Sequence, residues 1–322
     1  MATVLPNPFH GRRCLDPMRS VRVTLLLACL GISSLLRAQD YSWWNEANNW
    51  DGVTHWSDYL NFSPYYMGPD ALPVPLAMSG YFEPETRVEL GAGAHFSEGD
   101  DTQDLRTALH VPFAGGRVAM QLDWMALEHY RMDTVTRDER HARDRDGTGT
   151  STGDVYINTL VQVLPERADR VGLLLRVRLK TASGGNLEAA RHTDAPGYSF
   201  DLSVGHWRPA HKAWLERWRP FAMLGFLVYQ TNRTDYYQND CLLFGGGLLA
   251  DHGRWRSEVS VAGYMGYLDQ DDRPIVFRAS LETDRDARID HRFGLQGPLK
   301  DWRYMTVGYT VCCRLGSAIG AD

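Results

Sequence analysis

The sequence predicts an all-β protein, a closed antiparallel transmembrane β-barrel of about twelve strands in an up-and-down meander. Three observations point there. Val171–Thr181 alternates strictly: Val171, Leu173, Leu175, Val177 and Leu179 on one face, and Gly172, Leu174, Arg176, Arg178 and Lys180 on the other. Successive side chains leave opposite faces of a strand, so this pattern fits lipid on one side and a wet interior on the other. Similar segments recur along the chain, separated by connections that alternate between long and short. An export signal precedes them all.

The signal comes first. Arg12, Arg13, Arg19 and Arg22 precede the apolar run Val23–Leu36, which is followed by Arg37, Ala38, Gln39 and Asp40. A basic region, a short apolar region and a small residue near its end make a secretory signal peptide over residues 1–39, cleaved near Ala38 or Gln39. Met18, if used as the start, would give a basic region of ordinary length. The Ala-Gln ending resembles signal peptides of Bacteroidota. A lipobox at Leu26–Cys29 is disfavoured because the apolar run continues beyond the cysteine. Without residues 1–39 the chain keeps 29 cations against 39 anions, a net charge of −10. Such a chain has no general affinity for nucleic acid. Mean hydropathy is −0.37, with no apolar run long enough for a mature membrane helix, which a barrel does not need.

Residues 40–84 break the alternation. Trp43, Trp44, Trp50 and Trp56 are followed by Pro64, Pro69, Pro73 and Pro75, and proline at this density is incompatible with central strands. This aromatic, proline-rich segment is expected below the barrel as a periplasmic lead-in, or inside it as a plug; a carbohydrate-contacting patch is a further alternative. The barrel is expected over residues 85–313, with a tail at 314–322.

From Glu85 the strands follow one another. Val88–Phe96, Leu105–Val111, Val118–Trp124, Val155–Val163 and Val171–Thr181 alternate, as do Tyr198–Val204, 255–267, 289–295 and Met305–Val311. Val276 interrupts the polar face of 275–282. The segments 219–230 and 241–250 are apolar on both faces, which leaves their register open. Odd connections, such as 131–153 and 182–197, are the longer ones expected outside the cell, and even ones should be tight periplasmic turns. The stretch 206–218 is too long for such a turn.

Signal peptide, hairpin meander and Gly153-Asp154-Val155 ahead of Arg- and Lys-bearing strands resemble bacterial outer-membrane β-barrel proteins of the transporter- and porin-like kind. Lys180-Thr181-Ala182-Ser183-Gly184 lies where a Lys-Thr ends a strand in such barrels. The resemblance implies an outer-membrane location, lipid as surroundings and the barrel-assembly machinery as a partner. One departure concerns that machinery: such barrels usually end on an aromatic residue, and Arg314–Asp322 contains none.

The candidate site is the lumen. Arg87, Arg106, Asp123, Arg176, Arg178, Lys180, Asp201, Glu258, Arg278, Glu282 and Arg292 fall on the inward face. Unpaired cations there would favour small polar or anionic solutes; paired with inward carboxylates, they would fill and stabilise a narrow barrel. Asp144-Arg145-Asp146-Gly147 lacks the spaced oxygen ligands of a calcium loop. No metal-ligand spacing, phosphate loop or nucleophile–base motif is present, so the expectation is a non-enzymatic protein without cofactor or metal. Cys241, Cys312 and Cys313 give no disulfide framework, although a cystine from Cys241 to one of the pair is sterically open. Function is expected to be a small diffusion channel or transporter for small polar solutes, or a structural barrel. The alternative is a secreted or periplasmic all-β module binding a carbohydrate or a protein.

Overall fold

A computed structural model describes residues 40–268, 271–283 and 287–317. The signal peptide and its cleavage site fall outside them. The chain divides into Met1–Trp43 and Trp44–Asp322, and all that follows concerns the second unit.

Fourteen strands form: β1 Glu85–Ser97, β2 Asp100–Phe113, β3 Val118–Met132, β4 Thr148–Ser151, β5 Val155–Leu164, β6 Gly172–Lys180, β7 Gly197–Gly205, β8 Arg208–Lys212, β9 Leu215–Gln230, β10 Gln238–His252, β11 Trp255–Met265, β12 Ile275–Thr283, β13 Ile289–Lys300 and β14 Met305–Ser317. Twelve make a ring of antiparallel neighbours, with β4 and β8 outside it. The ring closes where β1 pairs with β14, from Glu85 opposite Ser317 to Phe96 opposite Met305. Closure leaves no unpaired edge, which is what a hydrocarbon environment demands of a sheet.

The outer face follows from composition. Leu90, Leu105, Leu122, Leu202, Leu224 and Val259 are exposed there, Leu90 by 63%. In water such a surface would be a large liability; in lipid it is the stable arrangement.

Several boundaries differ from those the sequence suggests. β2 starts at Asp100 and β3 runs to Met132, so paired strands extend past the apolar band at the long-loop rim. The outward positions there, Asp101, Gln103, His129 and Arg131, are polar, and lipid-type alternation fades although pairing continues. The long stretch 206–218 is not a loop: β8 folds back on the first residues of β9, with Arg208 opposite Trp218 and Lys212 opposite Leu215. β14 continues through Ser317, into the stretch expected to be a tail. Among the described residues no cystine forms, and Cys241, Cys312 and Cys313 are free thiols.

Residues 44–84 thread the ring from one mouth to the other. Near the long-loop rim, Trp44 donates its indole N–H to His141 O (2.8 Å), and Asn61 donates its side-chain amide to Glu139 O (2.6 Å). Gly68 N donates to Ala190 O at 2.8 Å. Leu72, Val74 and Ala77 are then buried against Phe221, Met223, Leu243, Ala262, Tyr264 and Val276 of the wall. Farther along, Met78 and Phe82 pack on Ala119, Leu160 and Leu174. At the short-turn rim Glu83 meets Arg256 (2.7 Å) and Arg87 (3.2 Å). This passage explains why 219–230 and 241–250 are apolar on both faces. One face meets lipid and the other meets the threaded segment.

Candidate functional site

Pro69, Pro73 and Pro75 cannot donate backbone hydrogen bonds, and a single extended chain has no neighbouring strand to satisfy its carbonyls. Side chains of the wall take over that role. Arg278 donates from Nη2 to Val74 O (2.6 Å) and from Nη1 to Pro75 O (3.2 Å). Arg176 donates to Leu76 O (2.9 Å), Arg219 to Ser79 O (2.7 Å), Gln162 to Gly80 O (2.9 Å) and His110 to Glu83 O (3.1 Å). Tyr264 donates its hydroxyl to Leu72 O at 3.0 Å. Each bond from a charged donor contributes about 1.5–3 kcal/mol where water is excluded.

Many wall charges are neutralised in pairs. Arg176 lies 2.8 Å from Asp201, and Lys180 lies 2.6 Å from Asp154. Arg106 bridges Asp104 and Asp70, each at 2.7 Å, and so ties β2 to the threaded segment. Arg87 and Arg292 both reach Glu89, and Arg314 reaches Glu282 at 3.1 Å. Asp123 accepts hydrogen bonds from Gln121 and Asn158. Glu258 lies within electrostatic reach of Arg278 and Arg292.

Of the seven inward candidate cations, two have no ion pair among the described residues. Arg178 has no carboxylate partner; its guanidinium lies over the ring of Tyr156, 3.9 Å from the centroid. Arg278 spends its hydrogen bonds on Val74 and Pro75 carbonyls and on Gln296 Oε1 (2.7 Å). Arg106, Arg176 and Arg178 all lie within electrostatic reach of Arg278. The inward-facing Arg106 and Arg292 side chains retain 46% and 36% of their accessible surface. The segment therefore does not fill the ring, and accessible space beside it is lined by guanidinium groups.

At the long-loop rim a second, fully enclosed network holds the loops to the wall. Asp100 Oδ2 accepts from Arg140 (2.7 Å), Arg191 (2.6 Å) and Tyr304 (2.6 Å), while Arg191 also donates to Glu128 (2.6 Å) and Thr102 (2.8 Å). His192, beside it in the 181–196 loop, is buried, and burial pushes its imidazole below the ordinary histidine range although Glu128 draws the other way. None of this network was legible in the sequence, because its members are scattered from residue 100 to 304. Asp70, His95 and Asp104 also cluster, with ligand atoms within 4.8 Å of one another. Arg106 already supplies positive charge between the two carboxylates, and His95 bonds Asp104 at 2.5 Å and Thr306 at 2.9 Å. Asp144, in the acidic loop, accepts from the Tyr130 hydroxyl (2.9 Å).

No family model matches the chain, and no curated protein matches it. Solved structures do. An outer-membrane channel from Pseudomonas putida F1 superposes with a TM-score of 0.50 at 10% identity, over 76% of this chain and 100% of that one. The fold is that of a bacterial outer-membrane β-barrel. The NanC porin (TM-score 0.46, 8% identity, 71% of this chain and 100% of that) is also similar. So is the KdgM porin in complex with disordered oligogalacturonate (TM-score 0.41, 10% identity, 70% of this chain and 98% of that).

Proposed function

We propose that this chain is an outer-membrane channel for small anionic solutes whose lumen carries its own N-terminal segment as a plug. The observation that carries the reading is the pair of inward cations left without an ion pair, Arg178 over the Tyr156 ring and Arg278 bonded only to neutral oxygens. Fixed cations along a narrow path lower the energy of an anion there and raise that of a cation. The short-turn rim, where β1 begins, would face the periplasm, and the long-loop rim the outside. Threading then puts residues 44–66 at the outer mouth. The channels and porins of similar fold support this reading. A soluble binding module is disfavoured, since it would have to expose the apolar outer wall to water.

The test is ion selectivity. Purified protein is reconstituted in a planar bilayer, and the reversal potential is read across a tenfold KCl gradient. Small steps with anion preference are expected. Cation preference, or no current over many insertions, would overturn the reading.

A further inference from the structure

One cavity in the wall has a composition that the pairing of charges does not explain. It lies where β5, β6 and β7 run side by side, behind Leu72 and Pro73 of the threaded segment. Arg178 on β6 stands directly opposite Ser199 on β7. Tyr156 on β5 stands opposite Lys180, one step along the same face. All four line the cavity, with Leu227 and Tyr264 closing its other side.

Two of the polar atoms here lack a partner. Ser199 is 1% exposed, yet its Oγ has no hydrogen-bond partner among the described residues, and neither has the buried Tyr156 hydroxyl. An orphaned buried hydroxyl is destabilising, so two of them around one cavity favour a partner that enters it. The Arg178 guanidinium lies over the Tyr156 ring and makes no ion pair among the described residues. The carboxylates nearby are engaged: Asp154 with Lys180, Asp201 with Arg176, and Asp123 with Asn158 and Gln121. Lys180 is further tied to Thr193 Oγ1 (2.7 Å) and Ala195 O (2.8 Å), which leaves Arg178 as the cation available to an incoming group.

We propose that this cavity is a binding subsite for a small monocarboxylate with a short apolar body. Arg178, Tyr156 and Ser199 take the carboxylate, which accepts hydrogen bonds from all three, and Leu72, Pro73 and Leu227 surround the apolar end. A guanidinium and two hydroxyl donors match the acceptor-only character of a carboxylate. The apolar remainder of the lining disfavours inorganic anions, which keep their hydration. This deepens the channel reading by naming a solute class, and it rests on that reading.

The test is binding in detergent micelles, which needs no conductance. Full-length protein is titrated calorimetrically with propionate, with propionamide as the uncharged isostere and chloride as the inorganic anion. Propionate is expected to bind, and propionamide and chloride to bind at least tenfold more weakly. Arg178→Gln is expected to abolish propionate binding. The near-isosteric pair Tyr156→Phe with Ser199→Ala, which keeps the fold, is expected to weaken it about tenfold or more. Equal response to propionate and chloride, or unchanged propionate affinity in the Tyr156→Phe/Ser199→Ala protein, would overturn the proposal and leave ordered water as the occupant. Propionate binding without current would sink the channel reading and leave the subsite standing.

Discussion

Arg278 on β12 donates from Nη2 to the carbonyl oxygen of Val74 at 2.6 Å, across 204 residues of sequence. The wall thus holds the threaded segment by its backbone as well as by the side chains of Asp70, Leu72, Val74 and Glu83. Arg176, Arg219, Gln162 and His110 act in the same way farther along. A peptide gripped through its carbonyls can be released by removing donors from the wall.

Arg278→Met removes two such donors while keeping the aliphatic stem. At about 1.5–3 kcal/mol for each charge-assisted bond, the segment should detach locally while the barrel stays closed. Limited proteolysis in micelles should then cut within residues 70–80 several-fold faster than in the wild type. The folded band on an unheated gel should be unchanged.

The rim network should be far more sensitive than a surface pair. Asp100→Ala leaves Arg140 and Arg191, both fully buried, without their shared carboxylate. Breaking a buried ion cluster from one side costs about 3–5 kcal/mol. Asp235→Ala, which removes an exposed partner of Arg233, should change stability by less than about 1 kcal/mol. Urea midpoints of the two variants in micelles, compared with wild type, provide the check.

His192 should make the outer loops acid-sensitive. Burial keeps its imidazole neutral in the folded chain by lowering its pKa below the usual 6.5. The unfolded chain therefore binds the proton first. Its contribution to stability is present above about pH 6.5 and is lost as pH falls from there through the lowered folded value. Melting temperature should fall between pH 7.5 and 5, and His192→Gln should show a smaller fall. An identical slope in both proteins would contradict this account of the loop.

The proposed sidedness can be tested by labelling. Val53 is 88% exposed, and segment residues near it contact the long-loop rim, whereas His211 on β8 is exposed at the opposite rim. In a Cys313→Ser background, Val53→Cys should react with a membrane-impermeant maleimide on intact cells. His211→Cys should react only after the outer membrane is opened. The reverse labelling would invert the proposed topology.

How much of this the sequence discloses depends on which surface a residue faces. Lipid imposes one requirement, so Leu90, Leu105, Leu202 and Val259 mark the outer wall by alternation alone. The lumen imposes none that is uniform. Phe221, Met223 and Leu243 point inward and are apolar because they meet Leu72, Val74 and Ala77, and that partner lies far away in sequence. For the same reason the charge of Arg176 cannot be told from that of Arg178 in one sequence. Register decides it, placing Asp201 opposite the first and Ser199 opposite the second. The path of residues 72–83 leaves no pattern, because its carbonyls accept from side chains on six different strands and not from a neighbouring ladder.

If the threaded segment governs the lumen, Gly80 is the position at which to loosen it. Its φ is +84°, and a Cβ there would meet backbone atoms: Gly205 N at 2.5 Å, Val204 C at 2.8 Å and Gly172 O at 2.9 Å. Gly52 has a similar φ of +81° with nothing within 4 Å of its Cβ, so it serves as a control for backbone strain alone. Single-channel conductance should be compared for wild type, Gly80→Val and Gly52→Val in the same planar bilayer. A several-fold larger, anion-preferring conductance is expected for Gly80→Val and wild-type values for Gly52→Val. Equal conductance in all three proteins would contradict that expectation.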